Sequence, residues 1–412
     1  MARPAEPDTG GQVAEGLTDG SDAADEENGD EEEPSFFADP KRLIQTGLIV
    51  ILLVAGIYLL LPSIVGIDDA IEKVSKADWL WIAIALAFNL LAFGSYVALF
   101  RGVVGESTVQ LRWSDSYQIT MAGLAATRLF SAGGAGGIVL TYWALRKAGM
   151  PRRQTACRMV AFLVLLYAVY MLTVVIDGIL LRTGVVNGNN PPGLTIVPAV
   201  IAGVVVVILL AIAFLPEDFE RRMHSFSRGR RFGALIRRLS TAPATLASGT
   251  RTAIAFIREP SRGGLAIAGA IGFWAANIGI LWAAFHAFDV HVPLGVVIQG
   301  FFVGMVANLI PFVPGGVGAV DAGLIGTFVL FDLPGSEVFA AVLVYRLIAF
   351  WLPIPPGIVA FFQLRRTVAR WEDERGTSAV GSDTAESLSG PVPSPAAEGG
   401  ESAGSPIQYF RK

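Results

Sequence analysis

Six long apolar stretches constrain this chain more than any other feature of its sequence. They cover residues 43–62, 79–100, 158–181, 194–215, 265–288 and 338–362. A helix of about 20 apolar residues crosses the hydrocarbon core of a bilayer while satisfying its own backbone hydrogen bonds. The stretches therefore predict an all-α integral membrane protein, a polytopic helical bundle with about six full spans.

The composition agrees with this interpretation. Of the 412 residues, 53% are hydrophobic and only 16% are charged, whereas soluble domains carry about 25% charged residues. The net charge of −4 averages an acidic start, an acidic end and a basic segment between them. A basic, apolar core is typical of a membrane protein whose arginines face the cytoplasm and anionic lipid, so a soluble enzyme is excluded.

Two polar tails flank the apolar region. Residues 1–38 are acidic and residues 369–412 are rich in Ser, Gly, Pro and Glu. Neither segment has an apolar pattern that offsets the entropy of ordering the chain, so both are predicted to be disordered. The transmembrane domain is then expected at residues 39–368.

The distribution of basic residues predicts the topology. Segment 146–158 contains five Lys and Arg residues and segment 216–262 contains ten arginines, whereas 182–193 contains one and 289–293 contains none. Short cytoplasmic loops are enriched in Lys and Arg. The first two segments are therefore expected inside and the other two outside, with both termini in the cytoplasm of a cell-membrane protein.

Two further apolar stretches are interrupted by glycine and proline, at residues 114–145 and 294–332. With the loops assigned as above, each of these stretches has to enter and leave the membrane by the same face. They are predicted to form two re-entrant hairpins, one from each face. A count of hydrophobic segments alone scores the hairpin arms as extra helices, which gives eight or so apolar helices in all.

The two interruptions resemble each other. Both have the form GGxG, at 133–136 and 315–318, and each is followed by a second shared pattern, RMVAF at 158–162 and RLIAF at 346–350. Because the two hairpins are expected on opposite faces, the halves are predicted to be inverted repeats, as in many secondary transporters. The alternative is that the glycines only allow close helix packing.

Arg346 is the most informative charged residue. It lies several residues inside a predicted span, where insertion scales assign an arginine a cost of about 2.5–3.5 kcal/mol. Its expected partner is Asp321 on the returning arm of the second hairpin, or Glu337 at the start of the same span. Two roles remain open, a structural ion pair and a site for an anionic ligand.

Three other charged residues lie in or near predicted spans. Arg158 either contacts a ligand or extends to the cytoplasmic headgroups. Arg128 precedes the first glycine cluster, where it is placed to bind an anionic headgroup or the carbonyls at the hairpin tip. Asp177 lies near the outer end of its span and is expected to be solvated.

Aromatic residues and one amphipathic segment mark the membrane surface. Trp79, Trp81, Trp113 and Trp143 lie near span ends, as in an interfacial belt, whereas Trp351 lies deeper and is expected to line the cavity. Segment 216–262 is predicted to be a basic cytoplasmic loop. Apolar residues 232, 235, 236 and 239 within it indicate an amphipathic helix on the inner leaflet.

The sequence contains no recognisable catalytic motif. Nucleophile-elbow, nucleotide-binding and zinc-protease patterns are absent, the three histidines lack metal-ligand spacing, and Cys157 is the single cysteine. We therefore expect no enzymatic activity, no cofactor, no metal and no nucleic-acid partner.

Two motifs of the second half resemble the lysylphosphatidylglycerol synthase transmembrane-region family, a flippase-like membrane domain. They are IPFVPGGVGAVDAGLIG at 310–326 and YRLIAFWLPIPPG at 345–357. The resemblance extends over roughly residues 40 to 368 and implies the translocating domain without a soluble synthase domain. With the residue analysis, it gives a set of candidate substrate-binding residues: Arg346, Asp321, Arg128, Arg158, Gly133, Gly134, Gly136, Pro314, Gly315, Gly316, Gly318, Tyr345 and Trp351.

Two functions are compatible with these features. The first is a flippase or scramblase for an anionic, headgroup-modified or polyprenyl-linked lipid. The second is a non-transporting membrane partner or scaffold of a separately encoded glycosyltransferase or lipid synthase of the cell envelope.

Overall fold

The computed structural model describes residues 77–105, 109, 111–129, 135–188, 191–213, 233–309 and 316–388. This part of the chain is helical and contains no strand. Its α-helices are α1 Trp79–Val104, α2 Trp113–Leu129, α3 Ala135–Lys147, α4 Arg152–Arg182, α5 Pro192–Ala213, α6 Gly233–Arg258, α7 Pro260–Ala287, α8 Leu294–Met305, α9 Ala319–Leu330, α10 Gly335–Arg346 and α11 Ile354–Leu388.

The long apolar helices confirm five of the predicted spans. Helices α1, α4, α5 and α7 are long and apolar enough to cross a membrane, and so is the continuous stretch Gly335–Arg375. That last stretch joins α10 to α11 through one π-helical turn, Leu347–Trp351. The predicted span 43–62 lies outside the described residues, as do the predicted tail 1–38 and residues 389–412.

Both interrupted stretches form pairs of short helices. Helices α2 and α3 have 17 and 13 residues, and α8 and α9 have 12 residues each. At 1.5 Å per residue, helices of 12 or 13 residues reach about 20 Å, less than the hydrocarbon thickness of about 30 Å. The two arms of each pair pack against each other, as the predicted re-entrant hairpins require.

Glycines set the closest approach within each hairpin. An ideal Cβ on Gly123 of α2 would lie 3.5 Å from the carbonyl oxygen of Gly137 on α3. In the second hairpin, a Cβ on Gly323 of α9 would lie 2.6 Å from the carbonyl oxygen of Gly304 on α8. Each pair of arms thus crosses glycine against glycine, which lets the two backbones approach.

The helices that precede the two hairpins, α1 and α7, pack along most of their length. Gly102 of α1 faces Ala266, where an added Cβ would lie 2.7 Å from the Ala266 Cα, and a Cβ on Gly279 would lie 2.8 Å from the Phe88 ring. Residue numbers fall along α1 as they rise along α7, so the helices are antiparallel. Equivalent helices of inverted repeats have this relation.

Each hairpin also packs against the helix that follows the other hairpin. In α2, Gln118 accepts a hydrogen bond of 2.9 Å from Thr367 of α11. In the second hairpin, the carbonyl oxygen of Phe302 on α8 accepts a hydrogen bond from Tyr170 of α4. Both contacts are antiparallel. Each hairpin also packs against the helix that follows it in its own half, so the hairpins link the two halves.

Two polar segments contain helices in the structure. Helix α6 fills much of the predicted loop 216–262, and its second half buries Ala247, Thr250 and Phe256 against α4 and α5. Helix α11 continues to Leu388, so residues 369–388 of the predicted disordered tail are helical. Extending an existing helix avoids the cost of nucleation. The side chains at 232, 235, 236 and 239 lie outside the described residues.

Of the four tryptophans predicted at the interface, one is placed differently. Trp79 and Trp113 are exposed, as an interfacial belt requires, but Trp143 is only 5% exposed. Trp143 lies on α3, a hairpin arm enclosed by neighbouring helices rather than a span facing lipid. The prediction that it belongs to the belt is wrong.

Candidate functional site

The two hairpins converge on the interrupted last span. Leu129 ends the first arm of hairpin one, and Val317 lies just before the second arm of hairpin two. Both are buried in one apolar cluster with Phe350 and Ile354. Trp351 packs against this cluster, with its ring 5.1 Å from that of Phe350. The break in the last span is therefore where both halves meet.

Arg346 forms a buried ion pair at this junction. Its Nε lies 2.8 Å from Oδ1 of Asp321, and the side chains are only 5% and 7% exposed. The guanidinium carbon also lies 4.3 Å from the centre of the Phe350 ring. Asp321 is thus the partner, while Glu337 accepts a hydrogen bond of 2.6 Å from Ser336 at the exposed start of α10.

Asp321 has a second function at the start of α9. Its Oδ2 accepts a hydrogen bond of 2.7 Å from the backbone N–H of Gly318, which closes the first turn of the helix. Gly318 has φ 81° and Gly316 has φ 66°, a backbone conformation that glycine adopts without strain. The N–H of Gly318 therefore donates to Asp321 rather than to a ligand.

Arg128 binds the broken span directly. Its Nη1 donates to the carbonyl of Phe350 and its Nη2 to the carbonyl of Ala349, both at 2.8 Å. Four residues after Ala349 comes Pro353, which has no N–H to donate to that carbonyl. The arginine of hairpin one thus binds two carbonyls at the break in the last span, one of which cannot receive an α-helical bond from Pro353. These carbonyls belong to the last span and not to the tip of hairpin one, where the sequence analysis expected them.

A groove of about 240 Å³ lies between α1, hairpin one and α4. Most of its wall is apolar, and its polar groups are five hydroxyls and one guanidinium, those of Tyr96, Thr120, Thr127, Thr141, Tyr167 and Arg158. A concave apolar surface with a few convergent polar groups is typical of a ligand site. Gly123 and Gly137 line it at the crossing of the two arms.

Arg158 is anchored within the groove. Its Nη1 donates a hydrogen bond of 2.9 Å to the carbonyl of Val103, and its guanidinium carbon lies 5.6 Å from the centre of the Phe256 ring. The side chain is therefore held by contacts with α1 and α6. Its position gives the groove a positive charge.

The predicted site residues divide into two groups. The larger group lies at or beside the junction and contains Arg346, Asp321, Gly316, Gly318, Tyr345, Trp351 and Arg128. In hairpin one and α4, Arg158 lines the groove and Gly136 lies in the first turn of α3. Tyr345 is 3% exposed and its ring is 5.8 Å from that of Phe301. Trp351 belongs to the apolar cluster and does not line the groove. Gly133, Gly134, Pro314 and Gly315 lie outside the described residues.

The burial of Asp177 contradicts the expectation from the sequence. It is only 5% exposed, whereas solvation was expected from its position near the end of a span. Gly295 of α8 lies against it, and an ideal Cβ on this glycine would be 3.4 Å from Oδ1 of Asp177. The absence of a side chain at Gly295 lets α8 cover the carboxylate.

Sequence reasoning also missed the groove hydroxyls and Gln299, which is completely buried. Thr120, Thr127 and Thr141 recur at intervals of seven and fourteen residues, a weak signal that becomes visible only once the hairpin is assigned. Gln299 had a clearer signal, since it is the one polar side chain of α8.

Comparison with known proteins identifies the family. The model of the family described as "Lysylphosphatidylglycerol synthase TM region" matches residues 46–357, more than half of the chain. The chain belongs to this family. Membership in the lysylphosphatidylglycerol synthase transmembrane-region family, together with the apolar helices, makes it a multi-pass membrane protein.

Similar curated proteins include UPF0104 membrane proteins of Methanothermobacter thermautotrophicus. One is 30% identical over 86 residues, a second 33% over 87 residues, and a third 30% over 90 residues. The aligned segments cover 21 to 22% of this chain and 26% of each relative. The chain thus spans about a quarter of the length of the curated relatives it matches.

Proposed function

We propose that this protein moves lipids across the cell membrane, without altering them chemically, as a flippase or scramblase. The substrate is an anionic, headgroup-modified or polyprenyl-linked lipid. The groove beside hairpin one carries the proposal. Its apolar wall suits a hydrocarbon chain, and its hydroxyls with Arg158 suit the oxygens of a headgroup.

The inverted arrangement of the two halves supports this function. Transporters with inverted repeats place their substrate sites where the repeats meet, often at discontinuous helices. In this protein both hairpins meet the broken last span at Arg128 and Arg346, two arginines within a membrane-spanning bundle. The proposed orientation, with both termini in the cytoplasm, puts the Arg158 side of the groove near the inner leaflet.

The direct test is reconstitution into liposomes that contain labelled lipids. The panel includes an anionic phospholipid, an aminoacylated phospholipid and a polyprenyl-phosphate sugar. We expect faster transbilayer movement of at least one of them than in protein-free vesicles. Movement at the protein-free rate across the whole panel would contradict the proposal and favour a scaffold for a separately encoded synthase or glycosyltransferase.

Variants connect the movement to the groove. Arg158→Gln is expected to slow the movement of an anionic lipid, because the headgroup loses its cation. Arg366→Gln serves as the control, since Arg366 is exposed and does not line the groove. Rates are compared per amount of monodisperse protein. Equal slowing by both variants would show that lipid movement does not depend on the groove.

A further inference from the structure

A second polar cluster lies at the end of α4 that is remote from Arg158. Asp177 is 5% exposed, and its buried Oδ2 has no hydrogen-bond partner in the part of the chain that the structure describes. A carboxylate taken out of water is costly unless a counter-ion or hydrogen bonds compensate it. The burial of the Asp177 carboxylate therefore requires a physical explanation.

Gln299 of α8 also has a buried oxygen without a hydrogen-bond partner among the described residues. Its side chain is completely buried, and its Nε2 donates a hydrogen bond of 2.8 Å to the carbonyl of Leu194. Because only the amide nitrogen can donate to that carbonyl, the orientation of the amide is fixed. Its Oε1 is left without a partner among the described residues.

The two oxygens belong to one junction of α4, α5 and α8. An ideal Cβ on Gly178, next to Asp177, would lie 3.6 Å from Nε2 of Gln299 and 2.9 Å from the carbonyl oxygen of Thr195. Gly295, whose Cβ would contact Asp177, precedes Gln299 by one helical turn. Two acceptors without donors thus lie in the same buried interface.

Within the part of the chain that the structure describes, the helices around Asp177 offer it no cation. Helices α5 and α8 contain no titratable side chain. On α4 itself, Tyr170 donates to the carbonyl of Phe302 and Arg182 is exposed. The other helices that pack on α4 carry Arg101, Arg146, Lys147, Arg237, Arg238, Arg251, Arg258, Arg262 and His286.

Three of these more distant groups have contacts elsewhere. Arg101 binds the carbonyl of Leu111, just before α2, and Arg146 binds that of Met150, just before α4. Nδ1 of His286 lies 2.9 Å from the carbonyl oxygen of Trp282. In the outer loop, His291 lies 3.8 Å from Asp289 at the surface.

We propose that Asp177 is a proton-binding site and that its protonation drives lipid movement; the coupling part of this inference rests on the proposed function. A proton from water bonds to one carboxylate oxygen, which becomes a neutral acid with an O–H donor. When the site opens to the opposite side, the same proton leaves to water. No electron is transferred, and Oε1 of Gln299 is the unpartnered acceptor that the same interface offers to the acid.

The Asp177 site lies between a membrane span and hairpin two, so the environment of the carboxylate depends on the position of that hairpin. Asp177 lies on a membrane span, whereas Gly295 and Gln299 lie on the first arm of that hairpin. A neutral acid is tolerated in the closed interface, and a charged carboxylate favours its hydration. Protonation therefore stabilises the packed arrangement of α4 and α8, and deprotonation loosens it.

Infrared difference spectroscopy of the purified protein tests the binding. We expect a protonated carboxyl signal that disappears at high pH and is lost in Asp177→Asn. The control Asp289→Asn removes an exposed carboxylate of the neighbouring loop and should keep the signal. A wild-type protein without such a signal, or one that Na⁺ stabilises over K⁺ at constant pH, would overturn the proton assignment.

Liposomes with a pH gradient test the coupling. The wild-type protein is expected to accumulate labelled lipid in one leaflet, whereas Asp177→Asn equilibrates the lipid evenly. Accumulation by Asp177→Asn as well would contradict the coupling. If no lipid moves at all while the infrared signal is present, the proposed function fails and the proton site stands.

Discussion

At the scale of single residues, the Arg346–Asp321 pair yields a thermodynamic prediction. Removing one partner of a buried ion pair leaves an uncompensated charge, at a cost of about 3–5 kcal/mol. We expect Arg346→Ala and Asp321→Ala each to lose stability by this amount. The double variant should regain most of it in thermal unfolding of the purified protein.

Asp321→Asn refines this test, because the amide oxygen still accepts from the N–H of Gly318. If Asp321→Asn is as unstable as Asp321→Ala, the missing charge is responsible. If it is as stable as the wild type, Asp321 acts mainly through the first turn of α9. Strictly additive losses in the double variant would mean that the pair has no coupling energy.

The same scale shows what the sequence could and could not specify. The sequence limits the partner of Arg346 to Asp321 or Glu337, because a charge within apolar segments has few possible partners, and the structure shows that the partner is Asp321. Asp177 was placed in solvent, since its distance from the helix end says nothing about which neighbour covers it. The covering residue is Gly295, more than 100 positions away, and glycine carries no signal for burial.

At the scale of elements, the glycine crossing of hairpin two predicts unequal effects of two substitutions in one helix. Gly323→Ala introduces a Cβ 2.6 Å from the carbonyl oxygen of Gly304, and such overpacking costs about 1–3 kcal/mol. Gly326→Ala meets no atom within 4 Å and should be neutral or stabilising by about 0.5–1 kcal/mol. Thermal unfolding distinguishes them.

Equal effects of these two alanines would show that the arms do not cross at Gly304 and Gly323. The pairing of the two arms was predictable, because the loop charges predict that both ends of each broken segment lie on the same face. The packing of each hairpin against the opposite half was not. The packing partner of a hairpin depends on how side chains fit across the bundle. Local hydropathy does not indicate this fit.

At the scale of the whole molecule, the orientation in the membrane is open to a direct test. With Cys157 replaced by serine, single cysteines are introduced at Val185 and Arg153, exposed positions near opposite ends of α4. We expect an impermeant thiol reagent to label Val185→Cys in intact cells and to reach Arg153→Cys only after lysis. The reverse pattern would invert the proposed topology.

The contact of Arg128 with the last span has a consequence for how the molecule can move. This guanidinium donates to two carbonyls of the other repeat, so withdrawing hairpin one removes both hydrogen bonds. A buried acceptor left without a donor costs about 1–3 kcal/mol, and Pro353 has no N–H with which to replace the bond to Ala349. Water that enters the break in the last span can donate to that carbonyl instead. We therefore expect hydration of this break to accompany any motion that separates the two halves.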